Sequence, residues 1–131
     1  MENSSHLEEQ KTAIVHFACV FLKQNFSFSP QSVKVLMDNH LVVIQADNFL
    51  SAAEIEMGME KRNIRLIHEM YSELFHKVKS PLVNQIEQVT SREVLSSQIS
   101  ISIETKIFIM TFFLGLKFNN RRKLVSSLGN K

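Results

Sequence analysis

Three side chains in the middle of the chain have types that could bind a metal ion or move a proton. Glu69, Glu73 and His76 follow one another at spacings of four and three, so they would share one face of an α-helix. Glu-x-x-His is the spacing of carboxylate-bridged metal sites in helix bundles, but such sites draw a second Glu-x-x-His from another helix. The sequence contains no second copy. We therefore expect a solvated helix face, and no metal site.

A second pair of reactive types lies near the start of the chain. Cys19, the single cysteine, stands three residues after His16 inside an apolar run. Nothing around them indicates an electropositive pocket that would activate a thiolate, so the pattern favours a small buried hydrophobe. Gly-rich phosphate loops, zinc-type cysteine pairs and Gly-x-Ser-x-Gly are also absent from the sequence. We predict no catalytic residue, no cofactor and no enzyme activity.

Length and charge indicate one domain with a basic end. A chain of 131 residues, 44% of them hydrophobic, is the right size for a single core. We assign residues 1–116 to one domain and residues 117–131 to a basic tail, which holds five of the 15 bases and none of the 13 acids. Arg121, Arg122 and Lys123 in this tail are either a solvated terminus or a contact with a partner or anionic lipid. We expect no nucleic-acid partner.

The sequence also predicts a cytoplasmic location. Residues 1–10 are polar and acidic, unlike a secretory signal. The strongest apolar run, residues 107–116, is about half the length of a membrane-spanning helix, so no transmembrane segment is expected. Attachment at the inner face of the membrane would be peripheral.

Hydrophobic periodicity gives the first elements. Ser5 and Glu8 form a capping-box pattern that predicts a helix over residues 5–25, ending before Ser29-Pro30. Residues 33–37 and 41–44 read as a hairpin around a turn at 38–40.

A long helix is predicted from Ser51 to Thr90. Its apolar stripe, spaced by three or four residues, comprises Ile64, Ile67, Tyr71, Leu74, Val78, Leu82, Ile86 and Val89. Ser80-Pro81 interrupts the helix, which either kinks there or restarts with Ser80 as the cap.

Two further strands end the domain. Ile99, Ile101 and Ile103 alternate with polar residues, whereas residues 107–114 are almost continuously apolar, as in a central strand or an interface. The predicted fold class is α+β, in two layers, with helices packed on one face of a four-stranded antiparallel sheet in the order helix, strand, strand, long helix, strand, strand. The strand order stays open, since the hairpins could lie side by side or flank one another.

Three stretches resemble a known family. Leu41-Val42-Val43-Ile44 and the following Asn48-Phe49-Leu50-Ser51-Ala52-Ala53-Glu54 resemble the strand and the Leu-Thr-Pro-Ala-Glu helix start of the MpsC-like family of small bacterial proteins. Val89-Thr90-Ser91-Arg92-Glu93-Val94 resembles its turn of hydrophobic, Thr, Gly, Arg or Lys, any residue, Val. Residues 107–114 resemble its terminal apolar strand. Ser51, Ala52 and Ser91 stand where the family has Thr, Pro and Gly. The resemblance covers roughly residues 5–115.

The resemblance implies an accessory role. Members of the MpsC-like family are soluble proteins encoded with a membrane-bound cation-coupled system implicated in membrane potential and inorganic-carbon uptake. The resemblance implies no catalytic residues. We expect a non-enzymatic accessory or regulatory protein that docks on a membrane complex. The alternative is a dimeric module that senses a small ligand.

A homodimer is expected in either case, because both faces of strand 107–114 are apolar and the helices can cover only one. The residues predicted to contact partners are Glu54, Phe112, Phe113, Arg121, Arg122 and Lys123.

Overall fold

A computed structural model describes residues 2–48 and 61–117. In chain order the elements are α1 (Glu2–Phe26), β1 (Val33–Met37), β2 (Leu41–Asp47), α2 (Lys61–Val78), α3 (Ser80–Thr90), β3 (Arg92–Ser102) and β4 (Ile107–Lys117). The strands form one antiparallel sheet in the order β1-β2-β4-β3. This confirms the predicted α+β class and settles the strand order: the two hairpins lie side by side, and their second strands pair at the centre.

The core lies between the sheet and the helices. Val42 and Ile44 on β2 and Phe108, Met110 and Phe112 on β4 are fully buried on one side of the sheet. Their helical neighbours in the same cluster include Ile14, Leu22, Phe75, Leu82 and Ile86. Ring contacts tie the layers together, since Phe26 of α1 lies 5.4 Å from Phe108 and Phe75 of α2 lies 6.1 Å from Phe112. Helices therefore pack on one face, as predicted.

The predicted helix boundaries need correction. The first helix begins at Glu2, so Ser5 lies inside it and is not its cap. The long helix is two helices, because Lys79 separates α2 from α3. Pro81 lies in the first turn of α3, where a missing N–H costs nothing, and the cap is Lys79, one residue before the predicted Ser80. The predicted start of the long helix at Ser51 lies outside the described residues.

The apolar stripe of α2 is also shifted from its predicted position. Phe75, which was left out of the predicted stripe, is fully buried, whereas Leu74 is only half-buried and lies outside the core cluster. Both residues fit a spacing of three or four from Tyr71, so the periodicity alone could not choose between them. The larger side chain faces the sheet and Leu74 turns away from it.

A left-handed residue joins α3 to β3. Ser91 has φ 59° and ψ 29°, and its N–H donates to the Glu87 carbonyl at 2.8 Å. This is the helix-ending conformation that glycine adopts most easily. The geometry therefore explains why the family pattern has Gly where this chain has Ser91.

Register irregularities mark the start of β3. The pairing with β4 shifts between Arg92 and Val94 and again between Val94 and Ser96. The Glu87 carboxylate accepts the Val94 backbone N–H at 2.8 Å, which satisfies one donor where the ladder is broken. Strand β3 thus begins at Arg92, seven residues before the alternating pattern at Ile99 that predicted it.

Candidate interaction surface

The side of the sheet opposite the helices forms a surface that we call the outer sheet face. Side chains alternate across a strand, so the residues between the buried positions point this way. They are Lys34, Leu36, Leu41, Val43, Gln45, Asp47, Ser96, Gln98, Ser100, Ser102, Ile107, Ile109, Thr111 and Phe113. Helices α1, α2 and α3 share the core on the opposite side.

Apolar side chains occupy the middle of the outer sheet face. Leu36 on β1 pairs with Val43 on β2, and Leu41 on β2 pairs with Phe113 on β4. Leu36 is 56% exposed and Phe113 is 39% exposed, which are high values for large apolar groups on a sheet. Together with Ile109, these residues form an apolar strip over β1, β2 and β4, with Thr111 between Ile109 and Phe113.

Polar groups border this strip. The outward residues of β3 are three serines and a glutamine, at positions 96, 98, 100 and 102. The two charged residues of the face are Lys34 on the edge strand and Asp47 at the end of β2, whose carboxylate accepts the Ser32 hydroxyl at 2.7 Å. An apolar centre with a polar border and balanced charge is the arrangement of a protein contact surface.

The structure separates the two phenylalanines that were predicted as contacts. Phe112 is fully buried against the helices, which removes it from any surface of the folded chain. Phe113 points outward. The other predicted contacts, Glu54, Arg121, Arg122 and Lys123, lie outside the described residues.

The residues first considered for chemistry remain dispersed. Glu69, Glu73 and His76 are exposed on α2, as expected for a solvated helix face, and His76 Nδ1 lies 3.2 Å from Lys79 Nζ. Within residues 2–48 and 61–117, no three acidic, histidine or cysteine side chains form a group that could hold a metal ion. Cys19 is half-buried, so the expectation of a buried cysteine was wrong.

Sequence reasoning missed a second exposed apolar patch, on α2. Leu66 and Met70 are 54% and 53% exposed. Their spacing of four, continued by Leu74, was the signal that could have revealed them, because it defines a row beside the buried stripe. None of the described helices is long and apolar enough to cross a membrane.

Comparison with known proteins gives one match. The model of a family described as "Na+-translocating membrane potential-generating system (MpsC)" matches residues 9–115, which is most of the chain and agrees with the resemblance found in the sequence. No curated protein and no solved structure matches.

Proposed function

The chain belongs to the MpsC family, and we propose that it is a non-enzymatic accessory or regulatory protein of a Na+-translocating system that generates membrane potential. The family match over residues 9–115 carries this proposal. The family resemblance in the sequence extends it to inorganic-carbon uptake as a second process that such a system could serve.

We further propose that the protein acts at the cytoplasmic face of the membrane. The basic tail that follows β4 supports this, because residues 118–131 hold four bases and no acid and would be attracted to anionic lipid headgroups and to acidic segments of a membrane protein. Arg121, Arg122 and Lys123 in that tail, with Glu54, are the proposed polar contacts to the membrane-bound partner.

The outer sheet face is the proposed contact between two copies of this chain. Its charge balance supports a two-fold contact. Each copy carries one Lys34 and one Asp47 on this face, so the face has no net charge and two copies would not repel each other. A two-fold axis also buries Phe113 and Leu36 on both copies at once.

The size of the face sets the expected strength of that contact. Four strands about 4.8 Å apart and seven residues long cover roughly 400 Å² of flat sheet. That is about half the roughly 800 Å² that each partner contributes to a standard interface. We therefore expect a reversible dimer that forms at micromolar concentration.

Deletion and complementation test the accessory role. In a host that carries this gene with its membrane system, deletion should lower the membrane potential, measured with a potential-sensitive dye, in Na+ medium. In medium in which K+ replaces Na+, deletion of the gene should leave the membrane potential unchanged. The native gene should restore it, and unchanged potential in Na+ medium after deletion would refute the accessory role.

Two matched variants test the outer sheet face in the same strain. Phe113→Lys places a charge in the apolar strip, whereas Val20→Lys makes the same change on α1 at a residue that is also 39% exposed. We expect Val20→Lys to restore the potential and Phe113→Lys to fail at equal protein level. Full restoration by Phe113→Lys would reject the interface while leaving the accessory role intact.

A further inference from the structure

A cleft of about 590 Å³ lies at one end of the sheet, away from the outer sheet face. It is bounded by the start of α1, the turn between β1 and β2, the junction of α3 and β3, and the end of β4. Its volume falls within the range of small-molecule sites in proteins. It is large enough for an organic molecule rather than a single inorganic ion.

Two cations lie on neighbouring strands at this cleft. Arg92 on β3 and Lys117 on β4 are direct partners in the strand register, and both line the cleft. Like charges at directly opposed positions destabilise a sheet. In the described part of the chain the one ion pair joins Lys11 to Glu8, so neither cation has a carboxylate within 4.0 Å there.

The irregular register creates this pairing. Leu114 and Lys117 are three residues apart on β4, whereas their partners Val94 and Arg92 are two apart on β3. In a regular strand, residues three apart point to opposite faces. The bulge therefore turns Lys117 toward the side of the sheet that Leu114 occupies, and such re-aiming of a side chain is a common use of bulges beside binding sites.

Hydrogen bonds hold the floor of the cleft in place. The buried Thr90 hydroxyl accepts the Arg92 backbone N–H at 3.2 Å and donates to the Ile86 carbonyl at 2.8 Å. The Gln10 amide donates to the Val89 carbonyl at 2.9 Å, which ties α1 to the end of α3. These bonds hold the backbone next to Arg92 in place.

The arginine keeps most of its donors available. Its Nη1 donates to the Gly115 carbonyl at 3.2 Å, and a guanidinium has five N–H groups. Asp38 is the single acid among the cleft residues, and its carboxylate accepts the His40 N–H at 2.7 Å. Arg92 and Lys117 together carry one positive charge more than Asp38 offsets, so the cleft has a net positive charge.

We propose that this cleft binds a small organic anion, with its oxyanion group held between Arg92 and Lys117. Planar carboxylates and phosphate oxygens match the guanidinium fork, and the bound charge would offset the repulsion between the two cations. Leu7, Met37 and Leu114 supply apolar contacts for the rest of the molecule. This cleft is where a small ligand would bind if the protein is a ligand sensor. The proposal does not depend on the accessory role.

Titration calorimetry on the full chain tests the proposal, with citrate as the carboxylate probe and AMP as the phosphate probe at constant ionic strength. Saturable binding of either one supports the site and identifies the preferred oxyanion. Lys117→Gln should weaken that binding about tenfold, and Arg92→Gln by more. Asp38→Asn, which removes the opposing charge, should strengthen it.

Lys77→Gln is the control, because it removes the same charge from an exposed position on α2. It should leave binding unchanged. Arg92 also bonds the Gly115 carbonyl, so the exposed Lys117 keeps the test valid if the arginine variant misfolds. No binding of citrate or AMP at millimolar concentration, or equal weakening by Lys77→Gln and Lys117→Gln, would overturn the proposal.

Discussion

Replacing Phe75 by alanine tests the corrected packing of α2 against the sheet. The side chain is fully buried, and its ring meets Phe21 at 6.2 Å and Phe112 at 6.1 Å in edge-to-face geometry. Phe→Ala changes in cores cost about 3 to 5 kcal/mol, and each aromatic pair contributes about 0.5 to 1.5 kcal/mol beyond its buried area. We expect a loss near the top of that range, about 4 to 5 kcal/mol.

Leu74→Ala is the matched comparison, one residue away on the same helix. Leu74 is half-buried outside the core cluster, so its truncation should cost about 1 kcal/mol. This replaces the sequence-based assignment of Leu74 to the buried stripe. The contrast depends only on which of the two neighbours faces the sheet.

Urea unfolding followed by circular dichroism measures both losses. With a slope near 1.5 kcal/mol per M, Phe75→Ala should lower the midpoint by about 3 M and Leu74→Ala by less than about 1 M. Protein concentration must be equal throughout, because dimerisation raises apparent stability. If Phe75→Ala does not fold, Phe75→Leu should give a smaller loss in the same order. A midpoint shift for Leu74→Ala as large as that for Phe75→Ala would refute the packing.

Three further predictions concern the junction of α3 and β3 and the question of metal. Glu87→Ala should cost about 1 to 3 kcal/mol in urea unfolding, because it leaves a β3 backbone N–H without its acceptor; a loss below 0.3 kcal/mol would contradict that role. Ser91→Gly should stabilise by about 1 kcal/mol by relieving a left-handed conformation, whereas Ser100→Gly within β3 should destabilise; equal effects would show that φ at Ser91 carries no strain. Elemental analysis of the purified protein should find no stoichiometric zinc, iron or manganese, and one metal per chain that is lost in His76→Ala would refute this.

The strands were predictable because their pattern is local. Alternation in residues 33–37 and in the run after Ile99 indicated both hairpins, and the almost continuous apolar character of residues 107–114 indicated the central position that β4 occupies. That same character concealed which side chains face inward. Phe112 and Phe113 are identical in type, so only the register of β4 against β2 separates the core from the outer sheet face.

The cleft could not be predicted because it depends on distant pieces of chain. Arg92 and Lys117 become neighbours through a bulge that shifts the register by one residue. A turn residue with positive φ, Ser91, sets where β3 begins, and the sequence signals it only as a departure from the glycine of the family pattern. Tertiary contacts decide such strand pairing, and the hydrophobic periodicity of the sequence does not reveal it.

The molecular mass of the protein in solution tests the central claim, that the outer sheet face is a contact surface, most directly. Light scattering at tens of micromolar should report about twice the chain mass of 15.1 kDa, falling toward one chain on dilution. Phe113→Lys should give a folded monomer at every concentration, and Val20→Lys should remain a dimer. A native protein that stays monomeric across this range, or a Phe113→Lys variant that dimerises as well as the native chain, would contradict the account.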